Sequence, residues 1–220
     1  IDEIIDMAMR RSVRYKRLKS QGKTIDQIRK VFNTKTEMKL FSWNGKRDTV
    51  LSPRDSLVYS KYFLHSGLMS MQPKTGHVKA YVGGINYENF QYDHVTSGKR
   101  QVGSTFKPFL YSLAIQEGYD PCFQVPNVPV VFDKYKWRLE KDWTPKNSGS
   151  EELEGLTLSL KYGLANSINT VTAYIMKQFG PYAVVDLAKK IGVKSKILAV
   201  PSLCLGTFDL SIYEMVGAYS

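Results

Sequence analysis

Apolar positions near the start of the chain recur at helical spacing, but thinly. Ile4, Ile5, Ala8, Tyr15 and Leu18 make a patchy stripe that predicts one helix from Asp2 to Leu18, stopped by Gly22. Thr24-Ile25-Asp26-Gln27 has the spacing of a capping box and opens a shorter helix through Ile28, Val31 and Phe32. Met38–Trp43 reads as a strand, and Asn44-Gly45 as a hairpin turn with φ > 0 at both central positions. Ser52-Pro53 starts a helix expected over Asp55–His65, with Gly67 as its stop. Leu68–Gln72 and His77–Val82 are strands about the turn Pro73-Lys74-Thr75-Gly76. Residues 85–103 are polar and loop-like, a helix runs from Ser104 to Glu117 and Gly118 closes it. Residues 119–155 lack periodicity. Helices follow over Leu156–Ala165, Asn169–Phe179 and Pro181–Ile191, and Ser211-x-x-Glu214 caps one still running at Ser220.

Composition narrows this picture. At 43% hydrophobic and 12% aromatic, the 220 residues are not those of a disordered chain. No apolar run is long enough to span a bilayer. Ile1-Asp2-Glu3 lacks the basic start and apolar core of a signal peptide, and there is no initiator Met. The chain therefore reads as a mature piece or an excised one. The net charge of +11 is lopsided: residues 1–47 hold 13 Lys+Arg and 5 Asp+Glu, against 18 and 15 over 48–220. The front segment is too small and polar for a core of its own and is expected to be a linker. Its basic run, Arg10 to Lys19, has no nucleic-acid-binding motif beside it and reads as a solvated helix face. Cys122 and Cys204 are too few for a disulfide framework and are expected to be packed thiols. His65, His77 and His94 show no ligand spacing to suggest a metal, and no cofactor is expected.

Two short patterns carry chemistry. Ser104 stands at a helix start with Lys107 three residues on, which puts both on one face and the amine within reach of the hydroxyl. A serine is a weak nucleophile without an adjacent base, and a lysine serves as one when burial lowers its pKa. Helix-start N–H donors favour the oxyanion that forms on attack. Taken alone, Ser-x-x-Lys is as well explained by an N-cap serine and a solvated lysine. The second pattern, Ser167-Ile168-Asn169, is a polar break between apolar helical stretches. It reads either as a helix junction or as a hydroxyl and an amide serving the lysine.

Together with Pro73-x-Thr75-Gly76-x-Val78-x-Ala80-x-Val82-Gly83-Gly84, Arg100-Gln101-x-Gly103-Ser104-Thr105-Phe106-Lys107-Pro108, Leu164-Ala165-x-Ser167-x-Asn169 and Leu205-Gly206, these residues resemble a class A, bifunctional penicillin-binding protein. The resemblance implies an α+β fold of the penicillin-binding and serine β-lactamase kind, truncated before its later sheet strands. It divides the chain into a linker, 1–47, and the front part of a transpeptidase domain, 48–220. It implies a peptidoglycan D,D-transpeptidase with Ser104 as the acylated nucleophile and Lys107 as its base. Ser167 would pass the proton on, and Asn169 would bind substrate and steady Lys107. Stem peptides and β-lactams are the implied ligands, without nucleic acid. A glycosyltransferase domain and a membrane anchor are implied in the parent, with the catalytic part outside the bacterial inner membrane.

The family's third motif, Lys-Thr-Gly, does not follow Asn169. Lys74-Thr75-Gly76 precedes Ser104 in a strand turn and reads as a decoy, so the third motif is expected beyond Ser220. The alternatives are a serine β-lactamase, which hydrolyses its acyl-enzyme, and a penicillin sensor or scaffold that acylates without transfer.

Overall fold

In a computed structural model that describes residues 2–149 and 151–220, the chain forms two compact units, 1–65 and 66–220. The first unit begins with two helices where one was expected, α1 (Asp2–Arg11) and α2 (Val13–Ser20). Ser12 divides them. Its extended backbone caps α2 through a hydroxyl that accepts the Tyr15 N–H at 3.2 Å, while the same hydroxyl donates to Met9 O. The capping box at Thr24 and Gln27 opens α3 (Ile25–Asn33), both reciprocal bonds being present. Strands β1 (Thr36–Leu40) and β2 (Arg47–Leu51) pair antiparallel in the register Met38↔Thr49. The turn between them is longer than the two-residue hairpin expected. Ser42 and Gly45 exchange backbone bonds, and Gly45 alone has positive φ, at 104°. Ser52 and Pro53 start α4 (Pro53–Lys61), which stops short of the expected His65.

This first unit has a core, and residues 1–47 do not build it alone. Met9, Leu18, Ile28 and Phe32 are buried together, and Leu57 of α4 packs against them. The stripe looked patchy because three helices share it and α4 supplies part of the cover.

In the second unit β3 (Leu68–Met71) and β4 (Val78–Val82) form the expected hairpin, with Lys74-Thr75-Gly76 in its exposed turn and Gly76 at φ 68°. The loop-like stretch 85–103 holds a strand that the sequence did not reveal, β5 (Lys99–Gln101). A 3-10 turn over Gly103–Phe106 follows, and α5 (Lys107–Gln116) begins only at Lys107. Pro108 explains the late start. It has no N–H, and its ring obstructs the carbonyl four residues back, which belongs to Ser104. Strand β6 (Gln124–Pro126), the one-turn helix α6 (Lys134–Trp137) and a Phe132–Trp143 bridge order the irregular middle. Where helix was expected from Leu156, β7 (Thr157–Ser159) pairs with β6, and α7 (Leu160–Ala165) follows a Ser159 cap. Helix α8 (Asn169–Lys190) has two halves about Gly180, which is non-helical at φ 76°. Strand β8 (Asp209–Ser211) pairs with β5, and the Ser211–Glu214 capping box opens α9 (Ile212–Tyr219).

The core of this unit lies between α5, α8 and the 3-10 turn Pro201–Leu205. Leu110, Ala114, Val171, Ile175, Met176, Leu203 and Cys204 are among its fully buried members. Cys122, by contrast, is exposed in a turn where its N–H is bonded by the Asp120 carboxylate at 2.6 Å; both thiols are free. The architecture is α+β. Among the described residues no helix is long and apolar enough to cross a membrane.

Candidate active site

Lys107 is the centre of the site. It lies in the first turn of α5, is 1% exposed, and has core phenylalanines at Phe106 and Phe109 beside it. Burying an ammonium demands that its donors be satisfied. Three acceptors meet its Nζ: the Ser167 carbonyl at 2.7 Å, Ser167 Oγ at 2.9 Å and Asn169 Oδ1 at 2.6 Å. A protonated lysine has three N–H donors, so the set is saturated. Even so, burial pulls the ammonium down from 10.5 to about 8. A Cys204 thiolate would oppose that fall, but burial pushes the Cys204 thiol up to about 12 and it stays neutral near pH 7.

Ser167 reaches Lys107 with two atoms because of how α7 ends. Ala165 is the last helical residue, Asn166 is the C-cap, and Ser167 takes the left-handed conformation at φ 54°. The Ser167 N–H bonds Leu164 O at 3.0 Å and the Ile168 N–H bonds Gly163 O at 2.8 Å, which is the Schellman pattern. Glycine is the usual residue at that position. Gly163 lets the turn sit close: a Cβ there would lie 2.7 Å from Val171 Cγ1 and 3.0 Å from the Tyr111 hydroxyl.

Asn169 opens α8, whose N-cap residue, Ile168, has no side chain able to cap. Its amide is held at both ends, Nδ2 donating to Lys146 O at 2.7 Å and Oδ1 accepting from Lys107. Asn147 supplies the missing cap from another segment. Its Oδ1 accepts from the Asn169 N–H at 2.8 Å and the Thr170 N–H at 3.1 Å. Sequence reasoning missed Lys146, Asn147, Asn127 and Thr170. The signal available was an asparagine after Pro145-Lys146 in a stretch without periodicity, which points to a turn and not to a partner.

Ser104 is placed otherwise. It lies one turn before Lys107 in the 3-10 segment, is exposed, and its hydroxyl is not among the partners of the Lys107 amine. Among the described residues no acceptor is bonded to its N–H. The segment is pinned from three sides. The Gly103 N–H bonds Gly206 O at 3.0 Å, the Val102 N–H bonds Phe208 O at 3.0 Å, and the Tyr219 hydroxyl donates to Thr105 O at 2.5 Å. The structure thus brings Lys107, Ser167 and Asn169 together in one hydrogen-bonded group, with Ser104 adjacent to it in the chain. Such a group can hold a lysine near its ionisation point beside a solvent-facing serine.

Comparison with known proteins identifies the family. Residues 1–64 match the penicillin-binding protein middle domain, and residues 67–199 match the penicillin binding protein transpeptidase domain. Penicillin-binding protein 1A of Pseudomonas aeruginosa is 35% identical over 157 residues, 70% of this chain and 18% of that protein. Penicillin-binding protein 2D of Bacillus subtilis is 32% identical over 158 residues, 70% of this chain and 22% of its own length. The chain therefore spans roughly a fifth of such relatives. The crystal structure of penicillin-binding protein 1A from Haemophilus influenzae superposes with a TM-score of 0.64 at 29% identity, over 70% of this chain and 23% of that one. Penicillin-binding protein PonA1 from Mycobacterium tuberculosis shares the fold, with a TM-score of 0.56 at 22% identity, over 96% of this chain and 55% of that one. With a middle domain followed by a transpeptidase domain, the chain belongs to the class A penicillin-binding proteins.

Proposed function

We propose that this chain carries the acylating group of a peptidoglycan D,D-transpeptidase, with Ser104 as nucleophile. The observation that supports the reading most is the buried Lys107 amine, one turn from Ser104, with Ser167 and Asn169 as its partners. A neutral amine has two N–H bonds and one lone pair. The Ser167 carbonyl and Asn169 Oδ1 can only accept, so they claim the two N–H bonds. The lone pair is left for a hydroxyl, that of Ser104 or of Ser167. This gives the amine a proton to take and a place to pass it.

In the proposed reaction Ser104 Oγ attacks the carbonyl of the penultimate D-Ala of a stem peptide while Lys107 takes the hydroxyl proton. The oxyanion that forms is met by the Ser104 N–H. The C–N bond to the terminal D-Ala then breaks, and Ser167 delivers the proton to the departing amine. An amine of a neighbouring strand attacks the ester, forms the crosslinking amide and returns Ser104 as the alcohol. β-Lactams enter at the first step and stay there, because the ring-opened product keeps its leaving group tethered. The parent protein is proposed to add a glycosyltransferase domain and a membrane anchor, with this part on the outer side of the bacterial inner membrane.

Mass spectrometry of the full-length protein after exposure to benzylpenicillin is the test. A penicilloyl adduct on the Ser104 peptide, absent in Ser104→Ala, is expected, and it should be lost slowly. An unmodified Ser104 peptide removes the assignment. Rapid loss of the adduct would indicate a β-lactamase, and a lasting adduct without crosslinking of stem peptides would indicate a sensor.

A further inference from the structure

The acceptors on Lys107 do not hold themselves in place. The first N–H groups of α8 have no partner within the helix, and Ile168 cannot supply one. Asn147, 22 residues earlier in the chain than Asn169, accepts from two of them with one oxygen. Its own Nδ2 donates to Asn127 Oδ1 at 3.1 Å and to Thr170 Oγ1 at 3.3 Å, and the Thr170 hydroxyl donates to the same Asn127 oxygen. Asn127 is 1% exposed and is tied down in turn: its Nδ2 donates to Leu153 O at 2.6 Å, and its N–H to Leu156 O at 2.8 Å. Thr170 is 5% exposed. Among the described residues no buried side-chain nitrogen or oxygen lacks a hydrogen-bond partner, as a rigid polar cluster requires.

The neighbouring residue completes the device. With Asn169 Nδ2 committed to the Lys146 carbonyl, the amide has one orientation left, and its Oδ1 faces Lys107. Lys146 and Asn147 are consecutive, so a single two-residue strut sets both the backbone of Asn169 and the direction of its side chain. Buried Pro145 and the Phe132–Trp143 bridge, whose rings are 5.3 Å apart, anchor the strut on the unit's core.

We infer that Asn147 is a positioning residue for the acylation step: it caps α8 from outside the helix and, with the Lys146 carbonyl, holds Asn169 Oδ1 on the Lys107 amine. Among the described residues no hydrogen bond joins Asn147 to Ser104 or Lys107. The inference rests on the reading of Lys107 as the base for Ser104. Losing the Asn169 acceptor removes a bond that favours the ammonium and lets the amine wander. The effect should therefore appear in the rate per active molecule and in its pH dependence, not only in the amount of folded protein.

The experiment is acylation of the full-length protein by benzylpenicillin, from pH 6 to pH 10, with rates normalised to the titrated acylable fraction. Asn147→Ala is expected to lower the plateau rate by about tenfold or more and to move the pH midpoint below that of the wild type. Asn147→Asp keeps an acceptor for both amides. It gives up the Nδ2 bonds to Asn127 and Thr170, so it should restore only part of the rate, but it should bring the midpoint to wild-type level or above, its charge favouring the ammonium. Should Asn147→Ala leave no folded protein, Asn147→Ser takes its place, since a hydroxyl one bond shorter cannot reach both amides. An unchanged rate and midpoint in the alanine or serine variant overturns the inference, as does an aspartate variant whose midpoint falls as far as that of the alanine variant. A wild-type protein that takes no label overturns the reading beneath it, and the inference with it.

Discussion

Ser167 bears a strain that its surroundings must hold. A left-handed backbone at a residue other than glycine costs about 1–2 kcal/mol, and here it aims a carbonyl and a hydroxyl at one amine. The outcome is a lysine poised at about 8, well below the usual range, because burial disfavours its charged form. If the deprotonated amine is the base, the acylation rate should rise about tenfold per pH unit below 8 and level off above it. A lysine left in water would still be climbing at pH 10. Asn169→Asp tests the electrostatic side of this. A carboxylate in place of the amide favours the ammonium, so the midpoint should move up by at least about one pH unit. The rate at pH 7 should then fall by about tenfold or more, with recovery in alkaline buffer. Stopped-flow acylation with a chromogenic β-lactam reads both profiles. A midpoint that stays put in Asn169→Asp would show that Lys107 does not govern the rate.

Among the elements, the segment bearing Ser104 depends on two glycines in contact. Gly206 ends the Pro201–Leu205 turn in the left-handed conformation at φ 66°, and a Cβ there would overlap the Gly103 carbonyl. Backbone on backbone has no rotamer to yield, so Gly206→Ala must push the 3-10 turn away. A loss of about 2–4 kcal/mol is expected, from about 1 for the conformation and 1–3 for overpacking. Because Lys107 is held by α7 and α8, the acylation rate should drop while its pH midpoint remains. Denaturant melts and the same pH series check the two halves of that statement. The features that were legible in the sequence share one property: they are local. The capping boxes at Thr24 and Ser211, the stop at Gly118 and the break at Gly180 each depend on a few adjacent residues, and each is present. Ser-x-x-Lys and Ser-x-Asn were readable for the same reason. What stayed hidden was pairing across distance. Strands β5 and β8 are three residues each, too short for alternation to register, and they join Gln101 to Asp209. Asn147 was equally silent, because nothing near it in sequence names the helix that it caps.

For the whole molecule, the charge follows the division into units. Residues 1–65 hold 15 Lys+Arg and 7 Asp+Glu, so the first unit has +8 of the +11 and the unit with the candidate site only +3. The excess therefore says little about the ligand at Ser104 and much about what the first unit faces. Part of it converges: Arg14, Lys23, Lys30 and Lys35 line one cleft of about 510 Å³ between α2, α3 and the start of β1, with no acidic residue in the lining. The ion pairs Lys39–Asp48 and Arg54–Asp2 of the first unit use none of these four. If this part of the protein stands at the outer face of a membrane, as proposed, that surface should favour anionic lipid. Each cation near such a leaflet contributes about 1 kcal/mol, so Arg14→Gln with Lys30→Gln should weaken binding about 30-fold. Cosedimentation of the 220-residue chain with phosphatidylglycerol vesicles measures this, with phosphatidylcholine vesicles as the neutral comparison. Binding should fade as salt is raised, since the cleft is open to solvent and its charges are screened within about 10 Å at 0.1 M. If the double variant and the native chain sediment alike, the cleft is a solvated surface, and the +8 serves solubility alone.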